Sequence, residues 1–594
     1  MPDKVLLSGN EAVARGAYEA GVHVATAYPG TPSTEILENI VKYKDDIYCE
    51  WAPNEKVAVE VGQGASFGGA RTISAMKHVG VNVAADPLFS FAYTGVNGGY
   101  VLVSADDPGM HSSQNEQDNR RYAKFMKIAL LEPTDSQEAK DMVGYGMEIS
   151  ERFNTPVLLR MSTRLCHSMG LVELKERVEV PVKEYVPDFK QRVVIPAHAR
   201  VLHVKLEDRL KRLKEYAEDC PLNVIIDGDW KYNGRRIGII SSGISFQYAR
   251  EAFPNARFLK LGMTFPFPID LARNFSDSVD ELWVIEENEP FIEEYLREAG
   301  IECVGKDKVP QCGELSQRIV HTGLTGEDVE MVEDISDLPP RPPVLCPGCP
   351  HRGIFYVGRK LGFTSTTDIG CYTLGMMPPL KMGETCICMG ASIGNAFGLE
   401  LAHGKDFGKN TLAFIGDSTF IHSGMTGLAD IAYNKGNITV VILDNSITAM
   451  TGHQHHPATG YTLMGDETTK LDFVKLAKSV GIEHVFETDA YDLDGITEVL
   501  KKVKELDGGK VIVNRGRCIL LDIGKMDITP FEVDPDKCIA CGLCFKLGCP
   551  AINTGEKNER GRYKARIDPA FCVGEACAMC YQVCPNDAIS IPKK

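Results

Sequence analysis

Residues 411–445 read TLAFIGDSTFIHSGMTGLADIAYNKGNITVVILDN. TLAFIG and ITVVILD have the length and apolar content of buried strands, which predicts an α/β unit around them. Asp417 ends the first run, and Asn445 ends the second after 26 residues that follow Ser418. Open α/β sheets place ligands at the carboxyl ends of their strands. A carboxylate and an amide there suit a hard cation such as Mg²⁺, which also takes phosphate oxygens. Gly416-Asp417-Ser418 alone would say nothing, because the same residues cap ordinary helices. The reading rests on the spaced pair at two strand ends.

The same rhythm recurs along the chain. KVLLSG (4–9), VHVATAYPG (22–30), YVLVSAD (100–106) and TPVLLRMS (155–162) read as strands, and Asn10 as the cap of a helix that Gly21 ends. Residues 172–235 are charged and irregular, a connecting stretch with one exposed helix in KLEDRLKRLKEYAED. RIGIISSG, RFLKLG and ELWVIEEN resume the strand pattern over 236–325. An acidic, then proline-rich stretch, 327–343, reads as a linker. The expected fold class is multidomain α/β with parallel sheets and a small α+β tail. Its segments are 1–185, a connection at 186–235, 236–326, the linker, 344–524 and 525–594.

A net charge of −17 argues against a nucleic-acid binder, which needs a basic face. No apolar run approaches the roughly 18–20 residues that cross a bilayer. Glu11, Arg15 and Glu19 break the N-terminal stretch, which therefore lacks a signal-peptide core. The expectation is a cytoplasmic protein away from membranes.

Nineteen cysteines, eight of them between Cys538 and Cys584, point to metal rather than disulfides in such a chain. The tail runs Cys538-x2-Cys541-x2-Cys544-x4-Cys549-Pro, then Cys572-x4-Cys577-x2-Cys580-x3-Cys584-Pro. This is close to the bacterial ferredoxin pattern, in which the fourth cysteine of each run ligates the other cluster. One 4Fe–4S cluster is expected on Cys538, Cys541, Cys544 and Cys584, and a second on Cys572, Cys577, Cys580 and Cys549. The x4 spacings depart from the standard runs. Zinc knuckles are the competing reading, but they rarely use three cysteines in a tight row followed by Cys-Pro. Two clusters form a wire for single electrons.

The 416–445 pattern resembles the signature of thiamine diphosphate enzymes. That resemblance implies a Mg²⁺ ion on Asp417, Asn445 and the main-chain carbonyl of Ile447, with Gly416 and Ser418 beside the cofactor. It also implies a glutamate on a second α/β domain, hydrogen-bonded to the aminopyrimidine. Asn54-Glu55, opening a helix followed by GQGASFGGA, resembles that element. Glu60 is the rival, and a surface glutamate the bland alternative.

Further motifs narrow the resemblance. Tyr28-Pro-Gly-Thr31-Pro-Ser33, Cys346-Pro-Gly-Cys349, Asp368-Ile-Gly-Cys371, Met450-Thr-Gly-His-Gln454, CPGCPHR, CMGASIG and HSSQNEQDNR are similar to motifs of 2-oxoacid:ferredoxin oxidoreductases, specifically the large subunit of the indolepyruvate type. The resemblance spans nearly the whole chain. It names the segments: pyrimidine-binding domain, transketolase-C-like domain, diphosphate domain and ferredoxin tail. It implies that Thr31 touches the substrate carboxylate and that Met450 lies at the cofactor. It implies oxidative decarboxylation of an aryl pyruvate, with coenzyme A taking the acyl group and ferredoxin the electrons. A small beta subunit, in an α2β2 assembly, is implied as partner.

Other signals leave alternatives open. Cys346, Cys349 and Cys371, with Cys518 as the fourth, match a third cluster; buried thiols in a tight turn are the other reading. His453, His455 and His456 read as a polar active-site loop rather than a metal site. His111 and Gln114 are weak candidates for the substrate pocket. Arg120, Arg121, Arg160 and Arg164 are candidates for carboxylate or coenzyme A contacts, or structural arginines. Cys49, Cys166, Cys220, Cys303 and Cys312 read as ordinary buried residues. Three other functions compete: a relative acting on another 2-oxoacid, a non-catalytic electron-transfer subunit, and a non-oxidative thiamine decarboxylase. Intact Glu55, Asp417 and Asn445 weigh against the second, and the cluster tail weighs against the third.

Overall fold

The computed structural model describes residues 4–329, 338–339 and 341–592. It divides into two units, Met1–Ser336 with Leu463–Gly465, and Asp337–Thr462 with Asp466–Lys594. Most of the expected linker at 327–343 lies outside the described residues. Among the described residues no helix is long and apolar enough to cross a membrane.

The first unit is built on a seven-stranded sheet ordered Met263–Phe265, Ala129–Leu131, Val157–Ser162, Tyr100–Asp106, Thr72–Lys77, Val24–Ala27, Tyr48–Trp51. All but the edge strand Met263–Phe265 run parallel. Alternate side chains feed two cores. Ile73, Ala75, Val101 and Val103 pack with Val13 and Val143 of the helices Gly9–Glu19 and Ser136–Phe153. Met76, Tyr100 and Leu102 face Val81, Leu88 and Phe91 of the helix His78–Thr94. Parallel strands end on one edge, so Tyr28–Ser33, Asn54-Glu55, Lys77-His78 and Asp106-Asp107 leave the sheet together. A smaller sheet in the same unit sets Arg235–Ser242 between parallel neighbours Arg257–Leu261 and Glu281–Ile285.

The second unit holds a five-stranded parallel sheet ordered Thr364–Thr366, Thr411–Gly416, Thr439–Asp444, Lys510–Arg515, His484–Asp489. Its carboxyl edge gathers Asp368, Asp417, Asn445 and Cys518. The tail adds two short hairpin-like pairs around Phe531, Ile552, Ile567 and Ile589.

The expected parallel α/β class holds, with local corrections. Lys4–Ser8 does not join the parallel sheet; it pairs antiparallel with Met169–Glu173. Ser8 rather than Asn10 caps the first helix, in a reciprocal pair with Glu11. Asn10 is buried and donates to Pro32 O at 2.7 Å. Nor is 186–235 a mere connection. The helix Pro196–Glu218 buries Leu202, Leu206, Leu213 and the stem of Arg209, and Val224–Ile226 pairs with Arg257–Leu261. Its apolar stripe is one residue wide between charged neighbours, which is why it reads as exposed. Cys303 is half-buried and Cys312 exposed, unlike buried Cys49, Cys166 and Cys220.

A docked helix predicts unequal sensitivity along its length. Leu213→Ala, at a fully buried site, should cost about 2–5 kcal/mol in chemical denaturation. Val204→Ala, on the exposed face of the same helix, should cost less than about 0.5 kcal/mol. Equal effects would contradict the docking.

Candidate active site

On the first unit, Glu55 opens the helix Glu55–Phe67, and Asn54 caps it by accepting from Val57 N–H at 2.9 Å. Glu55 is 5% exposed. It lies against Gly80, where a Cβ would sit 2.7 Å from Glu55 Oε1, so only glycine leaves the carboxyl in place. Glu60, the rival, is exposed and paired with Lys56. Thr31 is partly exposed, and its carbonyl accepts from Ser112 Oγ at 3.4 Å. His111 is half-exposed with Nε2 3.3 Å from Glu314, and Gln114 is exposed.

The candidate arginines are already committed to acids. Arg120 pairs with Asp118 and Glu286, and Arg160 with Asp106 and Glu132, all buried. Arg121 pairs with Glu289 and Glu294, and Arg164 with Glu314. The network holds the two sheets of this unit together. Of the two readings of these arginines, ligand contacts or structural residues, the ion pairs favour the structural one.

On the second unit, Asp417, Asn445 and Ile447 converge. The Asn445 amide oxygen lies 2.6 Å from Ile447 O and 3.2 Å from Asp417 Oδ2, and accepts from Ile447 N–H at 3.3 Å. Turning the amide would let its nitrogen donate to both oxygens. The inward oxygen is the arrangement a hard cation requires, and it is the one that pairs with Ile447 N–H. Oxygens on one edge of a Mg²⁺ octahedron stand about 3 Å apart. The donor set and spacing fit that ion. Ser418 N–H donates to Asp417 Oδ1 at 2.8 Å. A Cβ on Gly416 would meet the Tyr372 ring at 2.7 Å, so that ring fixes the strand end. Met450 is half-exposed.

Two histidines adjoin Asp417. His456 Nε2 is 3.2 Å from Asp417 Oδ2. His351, from CPGCPHR, is buried, and burial pushes it down to about 4 against the pull of Asp417, so it is neutral at neutral pH. Neither neighbour is visible from spacing, because each comes from a distant loop. His455 is half-buried and bonds Thr459, while His453 Nε2 lies 3.9 Å from Cys518 Sγ.

Cys346 lies within electrostatic range of Cys349, Cys371 and Cys518, and Cys371 of Cys518, but no three of the four converge as a metal-holding set among the described residues. Burial pushes the Cys349 thiol up to about 12 and that of Cys371 to about 11. In the tail, one pocket is lined by Cys538, Cys541, Cys544 and Cys584. A second is lined by Cys549, Cys572, Cys577 and Cys580 and reaches Pro347-Gly348. Backbone N–H groups of Phe531 and Gly574 point at Cys572 Sγ, and that of Ala588 at Cys584 Sγ, at 3.3–3.4 Å. Four thiols lining each pocket, with N–H donors to sulfur, suit iron–sulfur clusters, although no three of them converge tightly enough to mark a metal site among the described residues.

Arg352 links these groups. It is 2% exposed and donates to Leu547 O, Leu345 O and Cys346 O at 2.7–3.0 Å. Its charge reaches the thiols of Cys349 and Cys577. A buried guanidinium among thiols fits the negative charge that metal-bound thiolates would carry.

Both units of the chain are similar to known protein families. A family model described as thiamine pyrophosphate enzyme, C-terminal TPP binding domain, matches residues 368–514, the span holding Asp368, Asp417 and Asn445. Another, described as pyruvate flavodoxin/ferredoxin oxidoreductase, thiamine diP-binding, matches residues 15–201, which include Thr31 and Glu55. Together they define a thiamine-diphosphate-dependent enzyme that oxidatively decarboxylates a 2-oxoacid. Indolepyruvate oxidoreductase subunit IorA of Archaeoglobus fulgidus is 42% identical across 100% of this chain and 98% of its own length. Its namesake in Thermococcus kodakarensis is 39% identical with the same coverage. A solved 2-oxoglutarate:ferredoxin oxidoreductase from Magnetococcus marinus overlaps 55% of this chain and 65% of its own, at 16% identity and a TM-score of 0.45. The chain belongs to the family of indolepyruvate oxidoreductase subunit IorA.

The oxygen cage predicts that Asp417→Ala loses Mg²⁺-dependent retention of thiamine diphosphate while tail iron is unchanged. Unaltered thiamine content after gel filtration in Mg²⁺ buffer would contradict the assignment.

Proposed function

We propose that this chain oxidatively decarboxylates aryl pyruvates, of the indolepyruvate and phenylpyruvate class, with coenzyme A as acyl acceptor and ferredoxin as electron acceptor. The observation that carries the reading is the convergence of Asp417, Asn445 and Ile447 oxygens in the same unit as the two thiol-lined tail pockets. The names of the relatives support the substrate class, and their designation as a subunit supports a separate beta partner; an α2β2 assembly is the stoichiometry proposed.

In this reading Asp417, Asn445 and Ile447 would hold Mg²⁺ and, through it, the diphosphate. Gly416 and Ser418 would border that diphosphate, and Met450 would stand at the mouth of the site. Bound thiamine diphosphate supplies the electron sink for the pair left when CO2 departs, and iron–sulfur clusters supply single-electron transfer. Glu55, with its carboxyl buried, would hydrogen-bond the aminopyrimidine. Thr31 binds the substrate carboxylate; His111 borders the same edge.

Cys538, Cys541, Cys544 and Cys584 would hold one 4Fe–4S cluster, and Cys549, Cys572, Cys577 and Cys580 the second. A third, on Cys346, Cys349, Cys371 and Cys518, competes with the reading of these residues as buried thiols. Iron content distinguishes the two cases as three clusters per chain against two, and Cys518→Ser should remove only the difference.

The test is anaerobic dye reduction by the chain co-produced with its small partner and given coenzyme A. Indolepyruvate and phenylpyruvate should reduce the dye fast, and pyruvate and 2-oxoglutarate slowly. Glu55→Gln should lower turnover by about 10²–10⁴-fold with cluster absorbance intact. Fast reduction with pyruvate would overturn the substrate class, and full turnover by Glu55→Gln would overturn the role of Glu55.

A further inference from the structure

Lys77 is the last residue of the strand Thr72–Lys77 and stands just before the helix His78–Thr94. It leaves the sheet on the edge that also carries Tyr28–Ser33 and Glu55. It is 9% exposed. Its ammonium donates to Ser112 O at 2.5 Å, and no carboxylate lies within 4 Å of it among the described residues. Asp107, the nearest acid in charge terms, is taken up elsewhere. It accepts from Ser112 N–H at 2.9 Å, from Thr163 Oγ1 at 2.6 Å and from Ser113 Oγ. The ammonium thus has three N–H donors and one acceptor, which leaves two for a ligand.

The surroundings specify that ligand. The Lys77 side chain runs along Gly30; a Cβ there would stand 3.1 Å from Lys77 Cβ. Gly30 precedes Thr31, and Ser112, which accepts from Lys77, donates through Oγ to the Thr31 carbonyl. One turn past Lys77, Gly80 packs on the Glu55 carboxyl. Lys77, Thr31 and Glu55 are therefore neighbours on one edge. The four arginines considered for this role are each ion-paired. Burial pushes Lys77 down to about 8, with Asp107 opposing. A buried cation in this condition gains from an anionic partner.

We propose that Lys77 binds the carboxylate of the 2-oxoacid substrate beside Thr31. The inference rests on the decarboxylase reading and names the cation that reading lacks. An ammonium on the ground-state carboxylate adds binding energy that is not increased as CO2 leaves, so its removal raises KM more than it lowers kcat.

The test uses the complex of this chain with its small partner. Lys77→Met should raise KM for the 2-oxoacid at least about tenfold, the scale of a charge-assisted hydrogen bond. The KM for coenzyme A, the melting temperature and the thiamine and iron contents should stay unchanged. Inhibition by an aryl acetate should weaken in parallel, whereas inhibition by the neutral aryl acetamide should not. Lys77→Arg should restore most of the affinity. In the wild type, aryl acetate but not the acetamide should protect Lys77 from an amine-modifying reagent, a readout that survives if Lys77→Met fails to fold. An unchanged KM, equal weakening of acetate and acetamide, or absent protection would overturn the proposal. A wild-type complex that turns over no 2-oxoacid would instead overturn the reading on which it rests.

Discussion

Arg352 carries a positive charge at 2% exposure, and no carboxylate pairs with it among the described residues. Its hydrogen bonds go to carbonyls of the Cys346 turn and of the tail. Leaving such a charge without compensation costs several kcal/mol. Its ionisable neighbours include the thiols of Cys349 and Cys577, which burial keeps protonated, and thiolates persist at neutral pH when a metal holds them. The guanidinium, the Cys346–Cys349 turn and the ferredoxin tail therefore depend on one another. Tyr491 and Gln582 strengthen the same joint. Tyr491 Oη donates to Gly348 O at 2.8 Å, and the Gln582 amide bonds Tyr491 O and Leu493 N–H at 2.7 and 3.0 Å. The tail is fastened to the cofactor-bearing sheet rather than tethered to it.

That joint matters because the oxygen cage of Asp417, Asn445 and Ile447 lies on the same unit. Two parallel strand ends hold the Asp417 carboxylate, the Asn445 amide and the Ile447 carbonyl together, where a cation and a diphosphate would join them. Cys371 and Cys518 leave the same edge, so groups suited to decarboxylation and to electron removal share one scaffold.

Much of this is legible from the chain alone. Asp417 and Asn445 are readable because strand ends concentrate ligands and the spacing is fixed. The tail cysteines are readable because a cubane demands close, repeated spacing. The strand Thr72–Lys77 is not, since Thr72, Ser74 and Lys77 interrupt any apolar pattern. Ser74 is buried only because Thr26 Oγ1 and Tyr100 Oη hydrogen-bond its hydroxyl. Missing that strand hides Lys77 at its end. His456 is legible as part of a polar active-site loop, but its pairing with Asp417 and the nearness of His351 come from tertiary packing, which leaves no local signal. The four arginines favour their structural reading, and apart from the Arg120–Asp118 pair their acidic partners come from residues distant in the chain.

The central claim is that electrons released by decarboxylation enter the clusters of this same chain. Anaerobic rapid mixing of the complex with indolepyruvate and coenzyme A, without dye or ferredoxin and followed by freeze-quench electron paramagnetic resonance, addresses it. The account predicts reduced-cluster signals that grow as fast as CO2 is released. Release of CO2 with the clusters still oxidised would contradict it.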